Sequence, residues 1–212
     1  MELIVVLLIL VVLAGILVPL FSSNMQIPVG NGATKSPQQI VTEATMKTLR
    51  DTIVGTPDRP GYWNDILPST LDPTQTPLTI KDLFTFNTSL PASLAQFDPS
   101  ARRGWRGPYL LNATGRYPDP TSSAVAARNF TADYGLLNDP CMLDGWGNPI
   151  VIQWPTGVDP NSNPTGHFVR LVSAGPNGIL DTPLTDLYLP GTVRGDDIVL
   201  YLRRADIPTG PQ

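Results

Sequence analysis

The stretch Asp144-Gly145-Trp146-Gly147-Asn148-Pro149-Ile150-Val151-Ile152-Gln153-Trp154 decides the fold. Gly-Asn-Pro is turn chemistry, because glycine and asparagine tolerate left-handed backbone and proline fixes its own φ. The residues after it are β-branched, apolar or aromatic, the composition of a strand entered through a turn. Two more runs of this kind follow, Phe168-Val169-Arg170-Leu171-Val172 and Ile198-Val199-Leu200-Tyr201-Leu202. Three strands at the end of a chain predict a small antiparallel sheet, and such a sheet needs a covering helix.

A helix is available upstream. Ser36 suits an N-cap, Pro37 the first helical position, and Gln39 the return partner of a capping box. The apolar series Ile40, Val41, Ala44, Leu49, Ile53 runs to Gly55-Thr56-Pro57, which stops it. This predicts a helix over 37–54 that packs its stripe on the head; a partner-binding helix is the other use of such a stripe. The expected class is therefore α+β. Residues 55–140 read as loop-rich, with turn pairs at Asp58-Arg59-Pro60, Asp72-Pro73 and Asp98-Pro99 and one short helix near 80–86. Within 37–212 the β-rich part is 144–204, and Pro28, Gly30 and Gly32 mark 24–36 as a Gly/Pro linker.

Residues 1–23 differ from everything after them. Eighteen of the first 22 residues are apolar and Glu2 is the only charged side chain among them. Leu3 to Phe21 are 19 uncharged positions, roughly 28 Å as a helix, against a hydrocarbon core of about 30 Å. A membrane-inserted helix is the first reading. A signal peptide would have a basic start and a small-residue cleavage site, whereas this chain begins Met1-Glu2 and continues Ser22-Ser23-Asn24-Met25. A soluble buried helix fits less well, since the run has no polar face. Glu2 is either the polar flank of an anchor or a carboxylate that neutralises the terminal amine of a neighbouring chain when helices pack.

Composition narrows the function classes. The 212 residues carry 14 Lys+Arg and 18 Asp+Glu, a net charge of −4, so no nucleic-acid partner is expected. Twenty-three prolines with only 15% charged residues suit a turn-rich globular head rather than a helical bundle or a charged tail. His167 and Cys141 are each the single residue of their type. That leaves no histidine metal cluster, no metal-type cysteine spacing and no intrachain disulfide, and no phosphate-binding glycine loop is present. The chain is not expected to be an enzyme. Cys141 reads as a small buried hydrophobe or as one half of an intermolecular bridge. Three sequons, at Asn87, Asn112 and Asn129, against the ~1.7 that chance gives for 11 asparagines and 32 Ser+Thr, prove nothing.

The string from Glu2 through the aliphatic run to Pro19 resembles the N-terminal helix of type IV pilins and type II secretion pseudopilins, which pair a Glu near the start with a proline about 17 residues later. The proline removes a backbone donor and lets the helix kink or locally melt as it packs. In the second half of the chain four motifs follow in order: Gly104-Trp105-Arg106-Gly107-Pro108-Tyr109, Asp144-Gly145-Trp146-Gly147-Asn148-Pro149, Ser173-Ala174-Gly175-Pro176-Asn177-Gly178, and Gly195-Asp196-Asp197-Ile198. That order resembles the major pseudopilin of type II secretion. Trp105 and Trp146 are expected to anchor their loops by packing, with each indole N–H on a backbone carbonyl, rather than to stack a carbohydrate.

The resemblance implies a pilin-like fold, a long hydrophobic helix followed by a small head with a short antiparallel sheet and long loops. It implies a structural subunit that self-associates into a pseudopilus or pilus-like filament. Glu2 and Pro19 would be the assembly residues, with cleavage by a prepilin peptidase, methylation and contact with inner-membrane assembly machinery. The place implied is the bacterial inner membrane, single-pass, with the head in the periplasm or outside the cell. A membrane-anchored extracytoplasmic binding domain that does not polymerise is the alternative, and an anchored hydrolase stands third.

The loop between Ser173 and Ile198 offers oxygen donors on a glycine-rich backbone: Asn177, Asp181, Asp186, Asp196 and Asp197. Carboxylates, an amide oxygen and free carbonyls are what a hard cation such as Ca²⁺ collects. The resemblance implies calcium at this loop, and the matching positions are Asn177, Asp196 and Asp197. An Asn stands where the family usually has Asp, and the intervening segment is longer. The other reading is a solvated acidic loop whose glycines serve its turns.

Overall fold

The structure, a computed structural model, describes residues 27–29, 33–66, 78–155, 169–185 and 194–202. The expected helix over 1–23, with Glu2 and Pro19, lies outside the described residues, as do Asp186 and His167. Among the described residues no helix is long and apolar enough to cross a membrane. The chain divides into two compact units, Met1–Ile40 and Val41–Gln212.

In the first unit, where the sequence reads as a Gly/Pro linker, β1 (Ile27–Val29) pairs antiparallel with β2 (Ala33–Lys35), Pro28 opposite Thr34. Helix α1 (Pro37–Val54) then begins. Ser36 caps it: its Oγ accepts from the Gln39 amide at 3.2 Å, and its carbonyl accepts the first helical bond, from Ile40.

The second unit is α+β. Its centre is the three-stranded antiparallel sheet β7 (Val151–Gln153), β8 (Arg170–Ser173) and β9 (Ile198–Tyr201), in that spatial order, with Ile152 opposite Leu171 and Leu171 opposite Leu200. Because side chains alternate across a strand, the sheet has two apolar faces. Ile150, Ile152, Val169 and Leu171 join Met46, Leu49 and Ile53 of α1, Tyr62 and Ile66 of α2 (Tyr62–Ile66), and Ile80 and Leu83 of a 3₁₀ turn, in one core. Val151 and Val172 face the other way, against Tyr117, Phe130, Tyr134, Ala174 and Leu180. The described residues between 55 and 140 therefore join α1 in covering a sheet whose strands β7 and β8 are buried. Their ordered elements are short: the hairpin β3 (Gly55–Thr56) with β4 (Arg59–Pro60), the ladder β5 (Gly115–Arg116) with β6 (Pro140–Cys141), and the single turn α3 (Ser123–Ala126).

Two expectations change in detail. The buried stripe of α1 is Thr42, Met46, Leu49 and Ile53, whereas Val41 is 54% exposed and Ala44 is exposed. A polar residue takes the inner position because the Thr42 hydroxyl accepts from the amide of Gly145, joining the helix to the Asp144 turn. Trp105 is half-buried, in edge contacts with Tyr62, Phe86 and Tyr109 at 5.0 to 6.3 Å. The indole that donates to a backbone carbonyl is Trp154, to Leu78 at 3.1 Å. Cys141 is a buried free thiol, and desolvation raises it to about 11, where it stays protonated and inert at neutral pH.

Candidate metal centre

Strand β8 ends at Ser173, and the chain turns at once. The Ser173 hydroxyl donates to Asp144 Oδ2 at 2.7 Å, while Asp144 Oδ1 accepts from the amides of Trp146 and Asn148. One buried carboxylate thus closes the Gly-Trp-Gly-Asn-Pro turn and fastens it to the strand end. Asn148 continues the chain of contacts, its Nδ2 donating to the Gly175 carbonyl at 3.2 Å. Arg128, two residues after α3, grips the same loop: its Nε donates to the Gly178 carbonyl at 2.6 Å and its Nη2 to Asn148 Oδ1. Next to it, Asn129 donates from Nδ2 to the Leu180 carbonyl at 2.8 Å, and the Leu180 amide donates back to the Arg128 carbonyl.

Within this frame the loop meets the residues that lead into β9. The Asn177 amide donates to Asp196 Oδ2 at 2.9 Å, and its Nδ2 to Asp181 Oδ2 at 2.9 Å. The Thr182 amide donates to Asp197 Oδ2 at 2.7 Å. The approach is close enough to require glycine twice. Gly175 has φ +60, and a Cβ there would lie 2.4 Å from the Asp196 carbonyl oxygen; Gly195 has φ +56, and a Cβ would lie 2.4 Å from Asp181 Oδ2. An L side chain at either position meets both strain and collision.

The result is that carboxylate oxygens of Asp181, Asp196 and Asp197 all lie within 4.8 Å of one another. Oxygens on opposite sides of a Ca²⁺ ion at about 2.4 Å are about 4.8 Å apart, so one ion can reach all three. Asp181 and Asp196 are exposed and can complete their shell with water; Asp197 is 6% exposed. Its Oδ1 has no hydrogen-bond partner among the described residues, and neither has the Oγ1 of buried Thr182. Desolvation, with the charge of Asp181 adding to it, lifts the Asp197 carboxyl to about 6 against the opposing hydrogen bond from the Thr182 amide. A buried carboxylate oxygen without a donor, beside two more carboxylates, is costly unless a cation or proton meets it. The donor set is oxygen only, which suits Ca²⁺ or Mg²⁺ and not a thiolate- or imidazole-seeking metal.

The sequence positions distribute as follows. Asp196 and Asp197 are in the cluster. Asn177 is beside it as a brace: its Oδ1 accepts from the Ile179 amide at 2.6 Å, and its two donors hold Asp181 and Asp196. Asp181 supplies the third carboxylate. It is visible in the sequence as one of the loop's oxygen donors, but no spacing rule singles it out, because the turn of 175–178 is what brings it to Asp196. Buried Arg170 was not legible as part of this region. Its Nε donates to Gln153 Oε1 at 2.9 Å and its Nη2 to the Pro183 carbonyl at 2.7 Å, and Gln153 Nε2 donates to the Thr182 carbonyl at 3.0 Å. The sheet thereby fixes the backbone of Thr182, whose amide orients Asp197.

No family model, curated protein or solved structure matches the chain.

Proposed function

We propose that this protein is a structural subunit that assembles through its N-terminal hydrophobic helix into a pseudopilus or type IV pilus-like filament, in the service of type II protein secretion, with a calcium-stabilised head. The observation that carries this reading is the cluster of Asp181, Asp196 and Asp197 with its donorless Asp197 oxygen. It lies between strands β8 and β9 of the head, in the loop where the resemblance puts a calcium ion, of a chain with 19 uncharged positions from Leu3 to Phe21. The α+β head, with α1 and the three-stranded sheet in one core, agrees with a pilin-like architecture. In this reading Glu2 and Pro19 serve assembly, a prepilin peptidase processes the chain, and the inner membrane holds it before polymerisation. The head performs no chemistry of its own.

The test is Glu2→Ala in the full chain, expressed with a secretion apparatus and imaged in purified membranes and sheared fractions. The expected result is loss of filaments while the head keeps its cation-dependent melting. Filaments of ordinary length and number from this variant overturn the registration role of Glu2. A wild-type chain that stays membrane-bound and monomeric under the same conditions leaves the anchored binding domain as the reading.

A further inference from the structure

A second charged site, sharing no residue with the acidic cluster, lies at the start of the cover segment. A groove of about 490 Å³ is walled by Pro60, Phe97 and Pro99, with Asp65, Arg102 and Arg106 as its charged groups. That volume is in the range of small-ligand sites, and an apolar wall with a few fixed polar groups is their usual make-up.

Arg106 is held in one pose. Its Nε donates to Asp65 Oδ2 at 2.9 Å and its Nη2 to Asp65 Oδ1, and its Cζ stacks 4.5 Å from the centroid of Phe97. Asp65 is itself fixed by the Tyr109 hydroxyl, which donates to Oδ2 at 2.9 Å. A guanidinium has five N–H donors in a planar fork. The side edge of Arg106 is spent on Asp65, and the end-on pair formed by Nη1 and the second Nη2 hydrogen meets no acceptor among the described residues. The side chain is 37% exposed, which leaves that end reachable from the groove. A preset guanidinium fork matches the two oxygens of a carboxylate.

Arg102 supplies a second cation. The loop it sits in is closed by reciprocal backbone bonds between Asp98 and Arg103, at 2.6 and 3.2 Å, and Asp98 Oδ1 caps the amides of Ser100 and Ala101. Arg102 has φ 53, a left-handed backbone that an arginine adopts only at a cost. Charge fixes the ligand class. Arg102 and Arg106 against Asp65 leave one net positive charge in the groove, which suits a monoanion better than a dianion.

We infer that this groove binds a carboxylate carried on a flat apolar body, the carboxylate meeting the end-on fork of Arg106 with Arg102 beside it, and the body lying along Pro60, Phe97 and Pro99. Neither the filament reading nor the calcium site is needed for this.

The full-length protein is titrated calorimetrically with benzoate, with benzamide as the same body lacking charge, and with inorganic phosphate. Benzoate is expected to bind at least about tenfold more tightly than either. The clean variant is Arg102→Gly, which removes the cation and suits the left-handed backbone. It should melt at or above the wild-type temperature and weaken benzoate about tenfold. Arg106→Lys, which keeps the charge without the fork, should weaken benzoate by a larger factor than benzamide. Equal binding of benzoate and benzamide overturns the site, as does benzoate binding untouched by Arg102→Gly. Preference for phosphate over benzoate overturns the carboxylate assignment.

Discussion

Asp65 and Asp197 are both buried carboxylates in the same unit, and their surroundings are opposite. Asp65, 1% exposed, accepts two bonds from the Arg106 guanidinium and one from the Tyr109 hydroxyl. Asp197, 6% exposed, accepts one from the Thr182 amide, and its other oxygen has no donor among the described residues. A buried carboxylate is tolerable when its charge is met. The fold meets Asp65 from within, so that residue is architecture. At Asp197 it supplies two more negative groups instead, which makes sense for a cation taken from outside.

Three measurements press on that contrast. Removing the internal partner should have the largest effect. Arg106→Ala leaves Asp65 buried and unpaired, and chemical denaturation should show a loss of about 3 kcal/mol, the low end for a buried pair because the guanidinium is partly in water. The double variant Arg106→Ala with Asp65→Asn should recover part of it; no loss from the single variant would make Asp65 and Asp197 equivalent. Removing the external partner comes second. Calcium at a hundred times its dissociation constant should add about 2.7 kcal/mol to the unfolding free energy. Chelation should reverse this, and Asp197→Asn should cancel the response while making the chelated protein slightly more stable. A thermal shift that persists in Asp197→Asn, or no shift in the wild type, removes the cation from the comparison.

The smallest effect is on pH. Asp197 titrates at about 6 in the fold against an ordinary 3.8, so between those values the folded chain holds a proton that the unfolded chain has released. Stability of the chelated protein should therefore be full below about pH 4 and fall as pH rises through about 6. Calcium needs the ionised carboxylate, so its stabilisation should grow over the same window. A flat pH profile in the chelated protein would mean that Asp197 finds a donor after all.

Much of the architecture was legible because it is local. Ser36-Pro37 fixes where α1 starts, and the β-branched runs after turns locate β7, β8 and β9 within a residue or two. The cover of the second sheet face was not. Tyr117, Phe130 and Tyr134 are isolated anchors in irregular backbone, with no period of 2 or 3.6 to announce them. The Asp65–Arg106 pair spans 41 residues and has no local signature. In the acidic loop the donor types could be read, but the grouping could not. Asp181 and Asp196 come together where Gly175 permits the close backbone approach of Asp196 and Gly195 leaves room for the Asp181 carboxylate. The inward turn of Thr42 was likewise hidden, since its partner, Gly145, is 103 residues away.

Strand β8 lies between β7 and β9 with all four of its residues buried, and this gives the head an internal clock. Its amide hydrogens can exchange with deuterated water only when the whole unit opens, whereas the amide of exposed Asn177 in the turn that follows can exchange through local excursions. The lag between the two measures how far the loop moves independently of the core. A cation joining Asp181 to Asp196 and Asp197 would tie the loop to the base of β9 and slow its exchange toward the core rate, so ion occupancy becomes readable residue by residue in an otherwise unchanged fold.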